Sequence, residues 1–125
     1  MRKTLLEEMG CRVWTAVNGQ EGLEQFQTQI FDVVVTDYRM PRMDGIELIR
    51  RIHRLDPNAR IILLSGFVEP LGLTEQTTGA NAVIAKTALE PIHLVRSVKR
   101  LLNRGAVRKP PASQKRVAVA AQAAR

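Results

Sequence analysis

The chain has 125 residues and a formal net charge of +7, and it is long enough for one domain with its own core. The charge is uneven, because residues 1–104 carry 14 Lys and Arg against 12 Asp and Glu, whereas residues 105–125 carry five basic residues and no acid. A single cysteine, Cys11, excludes an internal disulfide, and no apolar run reaches the roughly 18 residues of a membrane span. This composition favours a cytoplasmic setting.

Hydrophobic periodicity predicts that helices and strands alternate through residues 1–104. In chain order the predicted elements are helix 2–9, strand 11–16, helix 19–28, strand 32–36, helix 46–55, strand 60–64, short helix 70–78, strand 80–85 and helix 90–103. Parallel strands need crossover helices. The order therefore predicts an α/β fold, a doubly wound parallel sheet covered by helices on both faces.

The composition changes after residue 104 to Arg, Lys, Pro, Ser, Gln and Ala. This composition is typical of a linker and tail, so we expect one domain over residues 1–104 and a flexible basic tail over 105–125. Five cations would permit non-specific contact with nucleic acid. No helix-turn-helix pattern or interleaved aromatic residues indicate sequence-specific binding.

Three polar residues stand where predicted strands end: Asp37, Ser65 and Lys86. Parallel strands bring their carboxyl ends to one edge of the sheet, where α/β proteins place their binding sites. A carboxylate there can act as a nucleophile, as a metal ligand or as both. Taken alone, Asp37 could equally be the residue of an Asx-turn, and Lys86 a solvated surface lysine.

The chain resembles the receiver domain of response regulators in two-component signalling. The residues that carry the resemblance are Asp37-Tyr38-Arg39-Met40-Pro41 with Asp44-Gly45, Leu64-Ser65-Gly66, Gly79-Ala80-Asn81 and Lys86. The resemblance covers residues 1–104 and implies a flavodoxin-like fold. It also implies that the chain is not an enzyme but a signalling protein, which receives a signal and passes it on through a protein contact.

The resemblance implies a role for each residue at the edge of the sheet. Asp37 would accept a phosphoryl group from a sensor histidine kinase or a phosphotransfer protein. Ser65 would be the hydroxyl switch, and Lys86 would pair with the phosphate. Mg²⁺ would be held by Asp37 and by the backbone carbonyl of Arg39.

The match lacks the family's first strand and the acidic pair at its end. In the strand order 2-1-3-4-5 this strand lies between strands 11–16 and 32–36, which would then stand roughly 9.6 Å apart. Without the acidic pair we expect weak Mg²⁺ binding and poor phosphorylation of Asp37. The alternative function is a degenerate, non-phosphorylated receiver that acts as a protein-binding or dimerisation module.

The missing strand has three explanations, of which we favour the first. In the first, the chain starts inside the family's domain and the gap stays open. A second chain could fill the gap in a strand-exchanged dimer. The tail's own run, residues 116–121, could enter the gap as a circularly permuted strand without acids.

Two further departures and one rival chemistry bear on the site. Val83 stands at the family's aromatic switch position, and Thr87 stands where a proline usually follows the lysine. A phosphatase of the haloacid-dehalogenase type also forms an aspartyl phosphate. Its pattern needs a second Asp where this chain has Arg39, so we disfavour that chemistry.

Overall fold

The computed structural model describes residues 2–66, 72–103 and 114–121. In these ranges helices and strands alternate. The helices are α1 (Arg2–Glu8), α2 (Gly19–Thr28), α3 (Gly45–Leu55), α4 (Glu75–Thr78) and α5 (Glu90–Asn103). The strands are β1 (Arg12–Ala16), β2 (Val33–Asp37), β3 (Ile61–Ser65), β4 (Ala82–Ala85) and β5 (Arg116–Ala120).

The five strands form one sheet in the order β1-β5-β2-β3-β4, and every pairing is parallel. One face of the sheet packs with α1 and α5, and the other packs with α2 and α3. The residues of β2 and β3 are all buried, as expected for central strands covered on both faces. This architecture confirms the predicted flavodoxin-like α/β fold.

β5 occupies the position between β1 and β2 that the sequence pattern left as a gap. It comes from the same chain and pairs in parallel on both sides. The favoured expectation of an open gap is therefore wrong, and the tail fills the gap as a circularly permuted strand. The expectation of a flexible tail over 105–125 is wrong for Arg116–Ala120, because the open ladders of β1 and β2 offer hydrogen-bond partners to this segment.

Alternating valine and alanine allow β5 to be buried on both faces. Val117 and Val119 join the core on the α1 and α5 side, and Ala118 and Ala120 join the core on the opposite side. A Cβ added to Gly22 of α2 would lie 3.2 Å from the Cβ of Ala120, so this helix crosses the strand where both residues are small. Burial therefore outweighs the helical propensity of the alanines.

Hydrogen bonds fasten β5 at both ends. The N–H of Arg116 donates to Asp32 Oδ2 at 2.7 Å, and the N–H of Asp32 donates to the Arg116 carbonyl at 2.8 Å. The guanidinium carbon of Arg116 also lies 5.4 Å from the centroid of the Trp14 ring in β1. At the other end, the N–H of Ala121 donates to the Ala16 carbonyl at 3.0 Å.

The helix boundaries follow from capping residues. Asn18 accepts a hydrogen bond from the N–H of Glu21 and caps α2, and Thr74 caps α4 in a capping box. The helix predicted over 70–78 is shorter, because α4 covers only Glu75–Thr78; residues 70 and 71 lie outside the described ranges.

In the described part of the chain, no helix is both long and apolar enough to cross a membrane.

Candidate functional site

Three neighbouring strands end at the same edge of the sheet, and a polar residue stands at each end. Asp37 ends β2 and is 4% exposed, Ser65 ends β3 and is 1% exposed, and Lys86 directly follows β4. The N–H of Lys86 donates to the Ser65 carbonyl at 3.1 Å, and the N–H of Tyr38 donates to the Leu64 carbonyl at 2.8 Å. These hydrogen bonds hold together the points where the chain leaves the three strands.

The buried carboxylate of Asp37 contacts two cations. Lys86 Nζ lies 3.0 Å from Asp37 Oδ1, and Arg2 Nη1 lies 3.3 Å from the same oxygen. The Asp37 side chain is only 5% exposed. Its attraction to the two cations is therefore screened less than that of a surface ion pair. The family resemblance predicts Lys86 at this position, whereas nothing in the sequence pattern predicts Arg2.

Arg2 also binds Glu90, at the start of α5. Arg2 Nε donates to Glu90 Oε2 at 2.8 Å, and Arg2 Nη2 donates to Glu90 Oε1 at 3.5 Å. Burial by itself lowers the pKa of Arg2. The hydrogen bond to Glu90 and the charges of Asp37 and Glu90 outweigh burial, so the pKa of Arg2 lies above its ordinary value. Arg2 is therefore a permanent cation between two carboxylates.

The turn after Lys86 places Glu90 beside Arg2. The N–H of Leu89 donates to Thr87 Oγ1 at 3.1 Å, and the N–H of Glu90 donates to the Thr87 carbonyl at 3.0 Å. Thr87 thus organises the entrance to α5 with its side chain and its carbonyl, at the position where the resemblance led us to expect proline.

Asp44 and Gly45 support the loop after Asp37 from the start of α3. Asp44 Oδ1 accepts the N–H of Glu47 at 2.9 Å and caps the helix. The N–H of Gly45 donates to the Tyr38 carbonyl at 2.8 Å. A Cβ on Gly45 would collide with the Asp37 carbonyl oxygen. Glycine is therefore required for α3 to start this close to the strand that carries Asp37.

Comparison with known proteins decides the family. The family model described as the response regulator receiver domain matches residues 1–99. The chain belongs to the response regulator receiver family. Receiver domains are signalling modules. The match ends before β5, so the strand that completes this receiver's sheet lies outside the part shared with the family model.

Individual receivers resemble this one in sequence and in structure. The receiver protein CpdR of Brucella abortus is 36% identical over 89 residues, which cover 71% of this chain and 72% of that protein. A receiver domain from Clostridium thermocellum superposes with a TM-score of 0.76 at 30% identity, over 85% of this chain and 86% of that one. Thermotoga maritima TrrA, solved with Mg²⁺ and BeF, gives a TM-score of 0.71 at 30% identity, over 81% and 86%.

The described residues of this receiver do not fit the Mg²⁺ site that its family implies. No group of three or more His, Cys, Asp or Glu in the described ranges could hold a metal ion. The Asp37 oxygen contacts Arg2 and Lys86, and the Glu90 carboxylate is bound by Arg2. Beside Asp37, β5 continues into Ala121, which has no oxygen ligand in its side chain. Proteins bind Mg²⁺ through one or two carboxylates, and here the carboxylate of Asp37 is already paired with two cations.

The structure brings together some of the predicted site residues. Asp37 and Lys86 are in contact, and Ser65 ends the neighbouring strand, one residue beyond the partner of Asp37 in the ladder. Arg39 lies two residues after Asp37, in the loop that leads to α3. Arg2 was missed because its proximity to Asp37 depends on how α1 packs in the completed sheet, and the sequence pattern carries no signal for that contact.

Proposed function

We propose that this receiver accepts a phosphoryl group on Asp37 and transmits the signal through a protein contact. The observation that carries the proposal is the 3.0 Å contact between Lys86 Nζ and the buried Asp37 carboxylate. It joins a nucleophile and a cation at the sheet edge where α/β proteins place their chemistry. Ser65, at the end of the next strand, is the proposed hydroxyl switch.

The donor would be a phosphohistidine of a sensor kinase or phosphotransfer protein. A carboxylate oxygen of Asp37 forms a bond to phosphorus while the phosphorus–nitrogen bond breaks, and the departing imidazole takes up a proton. Negative charge gathers on the phosphoryl oxygens during transfer, and nearby cations stabilise it. Lys86 supplies one such cation. Its side chain is 35% exposed and can therefore follow the transferred group outward.

A small phosphodonor tests the acceptor directly. We expect acetyl phosphate or phosphoramidate to add one phosphoryl group to the folded chain, slowly because the acidic pair is absent, and none to Asp37→Asn, measured by intact mass. Lys86→Ala should slow the labelling at least about tenfold, because it removes a cation that stabilises the transition state. Lys99→Ala, at an exposed lysine of α5, is the matched control and should label at the normal rate.

A second function is favoured by the contact between Arg2 and Asp37. With the acceptor held by two cations, the chain could act as a non-phosphorylated receiver that binds a partner protein or a second copy. Failure of the folded chain to take up phosphoryl from small donors and from a panel of histidine kinases would reject the acceptor role and favour this alternative.

A further inference from the structure

We propose that Arg2 is the built-in cation of this receiver site and that it excludes a divalent metal ion by occupying the space between Asp37 and Glu90. Its guanidinium contacts Asp37 Oδ1 at 3.3 Å with one nitrogen, and it binds both carboxylate oxygens of Glu90 with the other two. A divalent cation shared by these two carboxylates would need the same position.

Secondary structure holds both partners of this contact in place. Arg2 begins α1, which is anchored by the fully buried Leu6 in the core shared with α5. Glu90 begins α5, behind the turn formed by Thr87. The two residues are 88 positions apart in sequence, so the contact is made by the fold and not by local chain geometry. A guanidinium suits this role because its planar fork matches carboxylate geometry.

Partial burial gives the contact its strength. The side chains of Arg2 and Glu90 are 22% and 15% exposed, and that of Asp37 is 5% exposed. A fork of hydrogen bonds between ionised groups in such surroundings is stronger than an exposed ion pair. A metal ion entering beside Asp37 would face the positive charges of Arg2 and Lys86, with the side chain of Ala121 in place of a further carboxylate.

Arg2 would also act in phosphoryl transfer, and this second part of the proposal rests on the proposed function. During phosphoryl transfer, Arg2 and Lys86 would together neutralise the charge on the phosphoryl oxygens, so that transfer to Asp37 proceeds without Mg²⁺. The exclusion of metal itself does not depend on phosphorylation. The two parts are therefore tested separately.

Titration with Mg²⁺, followed by calorimetry and by the amide resonances of Asp37 and Glu90, tests the exclusion of metal. We expect no saturable binding to the wild-type chain at millimolar Mg²⁺. Arg2→Gln frees Glu90 and leaves Asp37 paired with Lys86, and it should bind Mg²⁺ with a dissociation constant at least about tenfold below the highest concentration at which the wild type is silent. Arg2→Lys retains a cation and should behave like the wild type. Lys3→Gln, at the exposed neighbouring position, is the control for the loss of one charge.

Two outcomes of the titration would overturn the inference: saturable Mg²⁺ binding at Asp37 in the wild-type chain, or a folded Arg2→Gln variant that gains none. If Arg2→Gln does not fold, the titration of the wild-type chain alone tests whether metal is excluded. Broadening of the Asp37 resonance by Mn²⁺ is then the second measurement, and we expect none. Labelling in chelator tests the phosphoryl part. Labelling that requires Mg²⁺ would reject a metal-independent site and leave the acceptor role intact. Complete failure of labelling would reject the acceptor role together with the phosphoryl part, and would leave the exclusion of metal to the titration.

Discussion

A chain cut after Asn103 is expected to lose its cooperative fold. The cut removes β5, which is the only strand that pairs with β1 in the described part of the chain. It also removes Val117 and Val119 from the core and exposes the ladder edge of β2. A domain of this size is stable by only about 5–15 kcal/mol, so the loss of a central strand and two buried valines is expected to remove most of that margin. Circular dichroism melting and the dispersion of amide resonances measure the result.

A single substitution separates the role of β5 from the effect of shortening the chain. Val117 is fully buried, so Val117→Asp places an unpaired charge in the core and should cost about 4 kcal/mol or more. Val17→Asp is the matched control, because Val17 is 50% exposed and the same change there should cost little. A truncated chain that melts at the wild-type temperature would show that β5 does not stabilise the sheet.

Protein concentration then distinguishes a strand taken from the same chain from one exchanged between two chains. An intramolecular β5 predicts that the melting temperature of the wild-type chain is independent of concentration. A melting temperature that rises with concentration would instead indicate self-association, which a strand-exchanged dimer requires, since association stabilises by mass action.

Gly45→Ala should destabilise the domain by about 3 kcal/mol and lower Tm by about 10 °C. The added Cβ would collide with the backbone oxygen of Asp37 and lie 2.8 Å from Leu63 Cδ1. Either α3 or the end of β2 must move to accept it. Because β2 carries the proposed acceptor, the same change should slow phosphoryl labelling of Asp37 in the fraction that stays folded.

Gly66→Ala is the control for this substitution. Gly66 also follows a strand at the site edge, but a Cβ there would have no neighbour within 4 Å. We expect its Tm to stay within a few degrees of the wild type. Equal melting temperatures for the two variants would mean that α3 does not pack against the acceptor strand as closely as described.

Local sequence pattern predicted most of the scaffold. The helix predicted over 19–28 coincides with α2, and the strand over 32–36 differs from β2 by one residue at each end. These elements are predictable because hydrophobic period and capping residues act over a few neighbouring positions. The same local reasoning placed Asp37, Ser65 and Lys86 at one edge, since parallel strands share the direction of their carboxyl ends.

The position of β5 was only partly predictable. Residues 116–121 were recognised as a short apolar run that could enter the gap, but the favoured account left the gap open. Alanine-rich segments have no strand preference of their own, and what decides their conformation is the surface available to bury them. Here that surface consists of two facing ladders and two helical layers, formed by residues far away in the chain.

The sequence by itself determined the order of helices and strands through residues 1–104, the receiver family and the polar residues at the ends of three strands. Only the tertiary structure decided which segment fills the sheet and which cation lies beside Asp37. The reason is the range of the interactions: strand and helix signals are local, whereas the pairings of β5 with β1 and of Arg2 with Glu90 join residues about a hundred positions apart. Arg2 lies beside Asp37 because α1 packs against a sheet whose missing strand is supplied by β5, from the other end of the chain.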